Sequence, residues 1–325
     1  MPQGVLIMRS TVLDGFAVNP GDLSWDFLSR FGEYSVYDST PPELVAERLS
    51  GTDIVLTNRV KITPALLDSC KSIKFVTALG TGYDMIDVRA CRERGVEVCN
   101  APGYSTDSVA QLAFSLLLAL TNDLNGFRKI VRDGGWTGVP GIAYQKIPCM
   151  ELAGKTVGVY GCGAIGKRFG ELCRAFGMRV LAYRRSAVPG ISDGIEYTDS
   201  ETLLCESDFV SLHCPLTDET RGLVSSAFIA KMKRGAYLIN TSRGAVVNEA
   251  DLAEALTDGR LSGAALDVMC KEPPERDNPL TGLANCIVTP HCAWVTPEAR
   301  KRLLLILERN ISSFVNTGKG INRVF

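Results

Sequence analysis

With 325 residues, 46% of them hydrophobic and 22% charged, the chain has the composition of an ordinary soluble globular protein. Its length exceeds the ~100–200 residues of one compact domain, so two domains are expected. A formal net charge of −1 excludes the long-range field that nucleic acid or an acidic membrane face would require. The longest apolar run, around Leu116–Leu120, falls well short of the ~20 residues needed to span a bilayer.

The chain opens Met-Pro-Gln-Gly-Val-Leu-Ile-Met, without a basic segment, and reads as a first strand at Val5–Met8 rather than a signal peptide. Further strands are expected at Ser35–Tyr37, Ile54–Thr57, Phe75–Ala78 and Val96–Cys99. Helices are expected between them at Trp25–Phe31, Pro41–Leu49, Pro64–Asp68 and Asp87–Arg94. This alternation implies an α/β architecture with a parallel sheet covered on both faces. Asn100-Ala101-Pro102-Gly103 interrupts it and is a candidate hinge. A long, apolar helix from Asp107 to Asp133 follows, expected to be buried, and Gly134-Gly135-Trp136 ends it. A second alternating unit carries strands at Thr156–Tyr160, Arg179–Tyr183, Phe209–His213, Tyr237–Asn240, Gly263–Asp267 and Ile287–Thr289. Thr296-Pro297-Glu298 then starts a helix to about Asn316, with a capping residue, proline in the first turn and an acid facing the dipole. It has no following strand of its own and is expected to return to the first domain, which becomes discontinuous.

Eleven cysteines show no C-x-x-C or H-x-C spacing, so neither a metal centre nor a disulfide framework is expected. Cys70, Cys99, Cys173, Cys205 and Cys286 sit in apolar surroundings and read as small buried hydrophobes. A reducing cytoplasm fits that usage.

The strongest local signal is Gly161-Cys162-Gly163-Ala164-Ile165-Gly166, which leaves an apolar strand and enters a helix ending near Gly177, with another strand after it. That context gives the G-x-G-x-x-G pattern its meaning as a dinucleotide fingerprint. Gly161 permits the turn, Gly163 lets the backbone approach a pyrophosphate, and Gly166 lets the helix pack on the strand. The next strand ends in Tyr183-Arg184-Arg185-Ser186, where an acid would select NAD(H). Two guanidinium groups suit a 2′-phosphate, so NADP(H) is favoured, with NAD(H) the alternative.

The chain has two histidines, His213 and His291, each just past a predicted strand of the second unit. Ligands of doubly wound sheets bind at such carboxyl ends. Asn240-Thr241-Ser242-Arg243-Gly244, Asp267 with Glu272-Pro273, and Thr289-Pro290-His291 occupy similar positions, so an arginine, a carboxylate and an imidazole converge on one sheet edge.

Together with His213-Cys214-Pro215-Leu216-Thr217, these ordered motifs resemble the D-isomer-specific 2-hydroxyacid dehydrogenase family over essentially the full chain. Gly103-Tyr104-Ser105-Thr106-Asp107-Ser108-Val109-Ala110-Gln111 and His291-Cys292-Ala293-Trp294 are most similar to its bacterial glycerate dehydrogenase, or hydroxypyruvate reductase, branch. The resemblance implies two doubly wound, Rossmann-like domains with the active site in the cleft between them, closing about hinges near Asn100 and Trp294. Residues 1–100 and 295–325 would form the substrate-binding domain, and residues 101–294 the nicotinamide dinucleotide-binding domain.

The same resemblance implies reduction of a small 2-keto acid, hydroxypyruvate or glyoxylate, to the D-2-hydroxy acid, by a homodimer. Arg243 would anchor the substrate carboxylate and keto oxygen, His291 would give or take the proton, and Glu272 would stabilise protonated His291. Ala164, Ile165, Cys214, Pro215, Thr220, Thr241, Ser242 and Asp267 would face the cofactor. His213 belongs either to that side or to its hydrogen-bonded support. Gly80-Thr81-Gly82 would offer free amides to a carboxylate, and Tyr104 and Trp294 would line the substrate pocket. A phosphite-oxidising relative and a non-catalytic nucleotide sensor are the alternatives on this fold. Formate-oxidising relatives carry glutamine in place of Glu272.

Overall fold

Short apolar runs rich in valine, isoleucine and leucine form the strands of two separate sheets in the computed structural model, which describes residues 7–137, 149–186 and 188–325. The chain divides into two compact units, residues up to Ser105 together with Val295–Phe325, and Thr106–Trp294.

In the first unit the strands are β1 (Ser10–Val12), β2 (Tyr34–Val36), β3 (Ile54–Thr57), β4 (Phe75–Ala78) and β5 (Glu97–Cys99). They pair in parallel in the order β2-β1-β3-β4-β5. Every residue of β3 and β4 is buried, as expected for a sheet covered on both faces. The first strand among the described residues, Ser10–Val12, lies later than the expected Val5–Met8. Its hydroxyl residues disguise it, because buried Thr11 is satisfied by Thr52 at 2.7 Å between their Oγ1 atoms; Val5 and Leu6 fall outside the described residues. Two expected helices are shorter and tighter: Asp26–Arg30 is a 3-10 turn, and Pro42–Leu44 is another that leads into Val45–Arg48.

The helix Pro297–Thr317 belongs to this unit. Thr296 caps it, accepting from the Ala299 amide, and Gly318 ends it at φ 75°. Phe314 packs its ring 4.7 Å from that of fully buried Phe75. Arg300, 6% exposed, reaches both carboxylate oxygens of Asp22, each at 2.7 Å, and Asn310 donates to the Asn100 carbonyl.

The second unit contains β6 (Thr156–Tyr160), β7 (Arg179–Tyr183), β8 (Gly190–Ser192), β9 (Ile195–Tyr197), β10 (Phe209–Leu212), β11 (Ala236–Asn240), β12 (Leu261–Leu266) and β13 (Cys286–Val288). Their order is β13-β12-β11-β10-β6-β7-β9-β8, parallel except for the β8–β9 hairpin. That hairpin was not expected, although Asp193-Gly194 is its signal. Both residues take positive φ, 52° and 73°, as a two-residue hairpin turn demands.

The expected helix Asp107–Asp133 is two helices, Thr106–Thr121 and Leu124–Arg132. Asp123 restarts the backbone by accepting from the Gly126 amide, as short polar side chains do outside helix interiors. The first helix is largely buried against β11, β12 and the helix Ala164–Ala175. The second buries none of its residues, which corrects the expectation of one buried rod.

All eleven cysteines are free. Cys70, Cys99 and Cys173 are buried as expected, whereas Cys205 is exposed and Cys286 only partly covered. Cys205 lies near the end of the helix Ser200–Glu206, whose buried residues are Leu203 and Leu204. Among the described residues no helix is long and apolar enough to cross a membrane, and no group of side chains has the makings of a metal site.

Truncating Phe314 to alanine removes the aromatic contact that seats the last helix on β4. The expected loss is about 3 kcal/mol, measured as a lowered urea midpoint for the first unit. An unchanged midpoint would show that the helix is held by its polar contacts instead.

Candidate active site

The glycine loop after β6 is built by main-chain contacts. The Gly161 and Cys162 amides both donate to the Tyr183 carbonyl, which ties the loop to the end of β7. Gly161 takes φ 94°, and a Cβ there would lie 2.4 Å from the Cys214 nitrogen, so only glycine fits. At Gly166 a Cβ would meet Val159 at 2.8 Å, which is why the helix Ala164–Ala175 can start against β6. Gly163 differs: nothing lies within 4 Å of its would-be Cβ. The first amides of that helix, at Ala164, Ile165 and Gly166, have no carbonyl one turn earlier to receive them. Thr241 adds a buried hydroxyl with no hydrogen-bond partner. Open space over Gly163, free helix-start amides and an orphaned hydroxyl fit a bound dinucleotide with its pyrophosphate at the helix terminus.

Arg184 and Arg185 are both exposed beyond β7. Arg185 pairs with Glu219 at 2.7 Å. Cys214 packs beneath Gly161, while Thr220 accepts from the Thr217 amide and donates to the Pro215 carbonyl, both at 2.7 Å. Thr220 therefore braces the loop 215–220.

His213 keeps a little surface, yet its ring is desolvated, and that burial pushes the imidazole down to about 3. Its Nε2 lies 2.9 Å from Ser211 Oγ, and its ring sits 5.2 Å from that of Phe169. A neutral imidazole of this kind is a poor proton donor near pH 7.

His291 Nδ1 lies 2.6 Å from Glu272 Oε2. A carboxylate only accepts, so Nδ1 carries the hydrogen and Nε2 is left to exchange a proton. The other oxygen, Glu272 Oε1, accepts from the Met269 amide at 3.1 Å. The loop that carries Arg243 approaches this place through Gly244, while Arg243 Nη1 donates to the Ser242 carbonyl at 2.8 Å. A Cβ on Gly244 would lie 1.9 Å from the Met269 carbonyl carbon, so the loops 240–244 and 267–272 touch backbone to backbone. Asn240, fully buried, shapes the first of them: its Oδ1 accepts from the Ser242 amide and hydroxyl, and its Nδ2 donates to the Arg243 carbonyl. The Ser242 hydroxyl thus serves the loop.

Asp267 is 1% exposed. Its Oδ1 accepts from Thr289 Oγ1 at 2.6 Å and the Cys292 amide at 2.9 Å, and its Oδ2 accepts from the Ala293 amide at 2.9 Å. It grips the segment that carries His291. Burial raises the pKa values of Cys162, Cys214, Cys270 and Cys292, to about 11 for Cys214 and Cys270, so all four stay protonated thiols at neutral pH.

In the first unit, Thr81 Oγ1 donates to the Ala101 carbonyl, while the amides of Gly80, Thr81 and Gly82 make no backbone hydrogen bond among the described residues. Such amides can receive an anion. Tyr104 is buried, with its hydroxyl 3.7 Å from a Cβ built on Gly80. Trp294 is partly buried at the end of the second unit.

Two supports escaped sequence reasoning. Glu249 accepts from the Cys270 amide at 2.6 Å and from Asn278 at 2.7 Å, holding the loop beyond Asp267. It follows the capping residue Asn248, so in the sequence it reads as an ordinary helix start. Ser108 donates to the Ala293 carbonyl at 2.5 Å.

Residues 114–293 match the model of the D-isomer specific 2-hydroxyacid dehydrogenase NAD-binding domain. A hydroxypyruvate reductase of Blautia hydrogenotrophica is 41% identical over 98% of this chain and 99% of its own. A glycerate dehydrogenase of Methylorubrum extorquens is 38% identical over 90% and 92%. Among solved structures, an acyclic imino acid reductase in complex with NADPH and D-Arg superposes with a TM-score of 0.87. It is 31% identical and covers 98% of this chain and 100% of that one.

The neutral state of His213 has a measurable signature. The unfolded chain binds its proton near pH 6.5 and the folded chain only near 3. Stability contributed by the neutral ring is therefore complete above 6.5 and falls as pH drops toward 3, by up to about 1.4 kcal/mol per pH unit. His213→Gln lacks this dependence, so the urea midpoints of the two proteins should converge between pH 7 and 4.5. Parallel curves would mean that the ring is not held neutral.

Proposed function

The chain belongs to the D-isomer specific 2-hydroxyacid dehydrogenase family, and from that premise we propose that it reduces hydroxypyruvate or glyoxylate with NADPH, through Arg243, Glu272 and His291. That it is an NAD(P)-dependent oxidoreductase acting on the CH–OH group of 2-hydroxy acids follows from the family itself. The observation that carries the assignment of roles is the 2.6 Å contact between His291 Nδ1 and Glu272 Oε2.

The residues that would hold the dinucleotide are Gly161, Gly163, Ala164, Ile165 and Gly166 at the pyrophosphate, with Thr241 offering its hydroxyl. His213, Cys214 and Pro215 would wall the groove. When bound, the reduced nicotinamide supplies a hydride to C2 of the keto acid. Arg243 places a permanent cation against the substrate carboxylate and the keto oxygen, where negative charge grows as the carbonyl is reduced. His291 passes the Nε2 proton to that oxygen, so hydride and proton together give the hydroxy acid. Glu272 keeps hold of the Nδ1 hydrogen throughout, fixing the ring and balancing the imidazolium charge. On the first unit, the amides of Gly80, Thr81 and Gly82, beside Tyr104, are a further candidate receptor for a carboxylate. Asp267 contributes by fixing the segment 289–293, and a cofactor contact from it is compatible with its remaining lone pairs.

The preference for NADPH is supported by Arg184, which follows β7 where NAD-selective sites of this kind carry an acid. Arg185 is engaged with Glu219, leaving Arg184 as the readier phosphate partner. Reduction of hydroxypyruvate, glyoxylate, pyruvate and bulkier keto acids, followed with NADPH and NADH in parallel, tests both parts. Hydroxypyruvate or glyoxylate with NADPH should be fastest, and Arg184→Asp should raise the KM for NADPH at least tenfold while leaving NADH nearly unaffected. A preference for bulky keto acids, or an unmoved cofactor ratio, would sink the corresponding part.

A second copy of the chain is the partner we propose, in a reducing cytoplasm that suits eleven free thiols. The helix Leu124–Arg132 has no fully buried residue and leaves Leu124 74% and Val131 56% exposed. Unburied apolar residues along an otherwise polar helix mark a surface that association covers. Leu124→Asp with Val131→Asp should convert a dimer to monomer in sedimentation. A wild-type monomer would refute the dimer outright.

A further inference from the structure

The segment that carries His291 is held at both ends. Thr289 is tied through its amide to the Leu266 carbonyl and through its hydroxyl to Asp267, while the Cys292 and Ala293 amides donate to the same carboxylate. Between these anchors His291 takes φ 54°, a left-handed conformation that residues with side chains adopt rarely. Such a backbone persists where its surroundings over-determine it. Asp267 secures the amide side of the turn. The carbonyl side meets Ser108, whose Oγ donates to the Ala293 oxygen at 2.5 Å across 185 positions of sequence.

Ser108 does not behave like Ser115 and Thr121 of the same helix. Ser115 bonds back to the Gln111 carbonyl and Thr121 to the Leu117 carbonyl, the usual recourse of a helical hydroxyl. Ser108 sits in the first turn, before such a carbonyl exists, is 6% exposed, and points its bond at Ala293. Ala293 is itself buried, so without Ser108 its carbonyl would lose a donor in a place that water reaches poorly.

We propose that Ser108 is a positioning residue for proton transfer: by fixing the Ala293 carbonyl it holds His291 in its left-handed turn and keeps the imidazole aimed at the substrate oxygen. The proposal rests on the reading of His291 as the proton donor. Small displacements of a reacting group slow chemistry more than binding, so the effect belongs in kcat.

Steady-state reduction of the best keto acid from the panel is measured for Ser108→Ala, Ser108→Thr, His291→Ala and the Ser108→Ala/His291→Ala pair. Ser108→Ala should lower kcat roughly 10- to 100-fold with KM changed less than about twofold, and Ser108→Thr, which keeps the hydroxyl, should recover most of it. In the His291→Ala background the alanine at 108 should cost nothing further, because the ring it positions is gone. An equal loss in both backgrounds would show a merely structural role and overturn the proposal. A wild-type rate for Ser108→Ala, with His291→Ala inactive, would overturn it while leaving the proton donor in place. Near-wild-type turnover by His291→Ala would remove the donor reading and this proposal together. Should Ser108→Ala fail to fold, Ser108→Cys, of similar size and weaker as a donor, is expected to give an intermediate loss of kcat, and full activity there counts against it.

Discussion

One buried carboxylate, Asp267, governs the functional edge of the second unit. An acid at 1% exposure must be compensated by donors, and here they are the Thr289 hydroxyl and the Cys292 and Ala293 amides. The fold therefore cannot satisfy the charge without drawing the segment after β13 over the end of β12. That requirement places His291 beside the loop that carries Glu272. The position of the imidazole is a by-product of solvating a different residue.

The loops around it are arranged with equal economy of side chains. Gly244 lets the segment 240–244 lie directly on the Met269 peptide, and the Met269 amide in turn holds Glu272. Asn240 folds its own loop and presents Arg243 from it. Cation, carboxylate and imidazole thus come from three strand ends, joined by the backbone approach of Gly244 to Met269 and by the side chains of Glu272 and Asp267. The two histidines of the chain are separated in kind by the side chains around them. His213 is desolvated against Phe169 and kept neutral, and His291 is paired with an acid.

Much of this was legible in the sequence where function depends on residue type at fixed spacing. Gly161–Gly166 between a strand and a helix announced the nucleotide loop, and the strand-end clusters of Arg243, Glu272 and His291 pointed to three loops, two of which the structure joins through His291 and Glu272. What stayed hidden depends on main-chain partners far away. The backbone contacts of Asp267 and Ser108 reach 25 or more positions along the chain, and nothing in local pattern marks them. Secondary structure failed for related reasons. The break at Asn122 and Asp123 sits inside an otherwise continuous helical pattern, and β1 hides its threonine by pairing it with Thr52. Cys205 shows that apolar neighbours in sequence do not by themselves bury a side chain.

The space left over Gly163 has a consequence beyond catalysis. The loop's left-handed turn at Gly161 and its helix-start amides suit a dinucleotide that only the folded chain can present them to. A ligand recognised only by the folded chain stabilises it by mass action, by about 2.7 kcal/mol when present at a hundred times its dissociation constant. By that relation, folded stability would follow the supply of nicotinamide dinucleotide, and the same polypeptide would be more fragile where the pool is small.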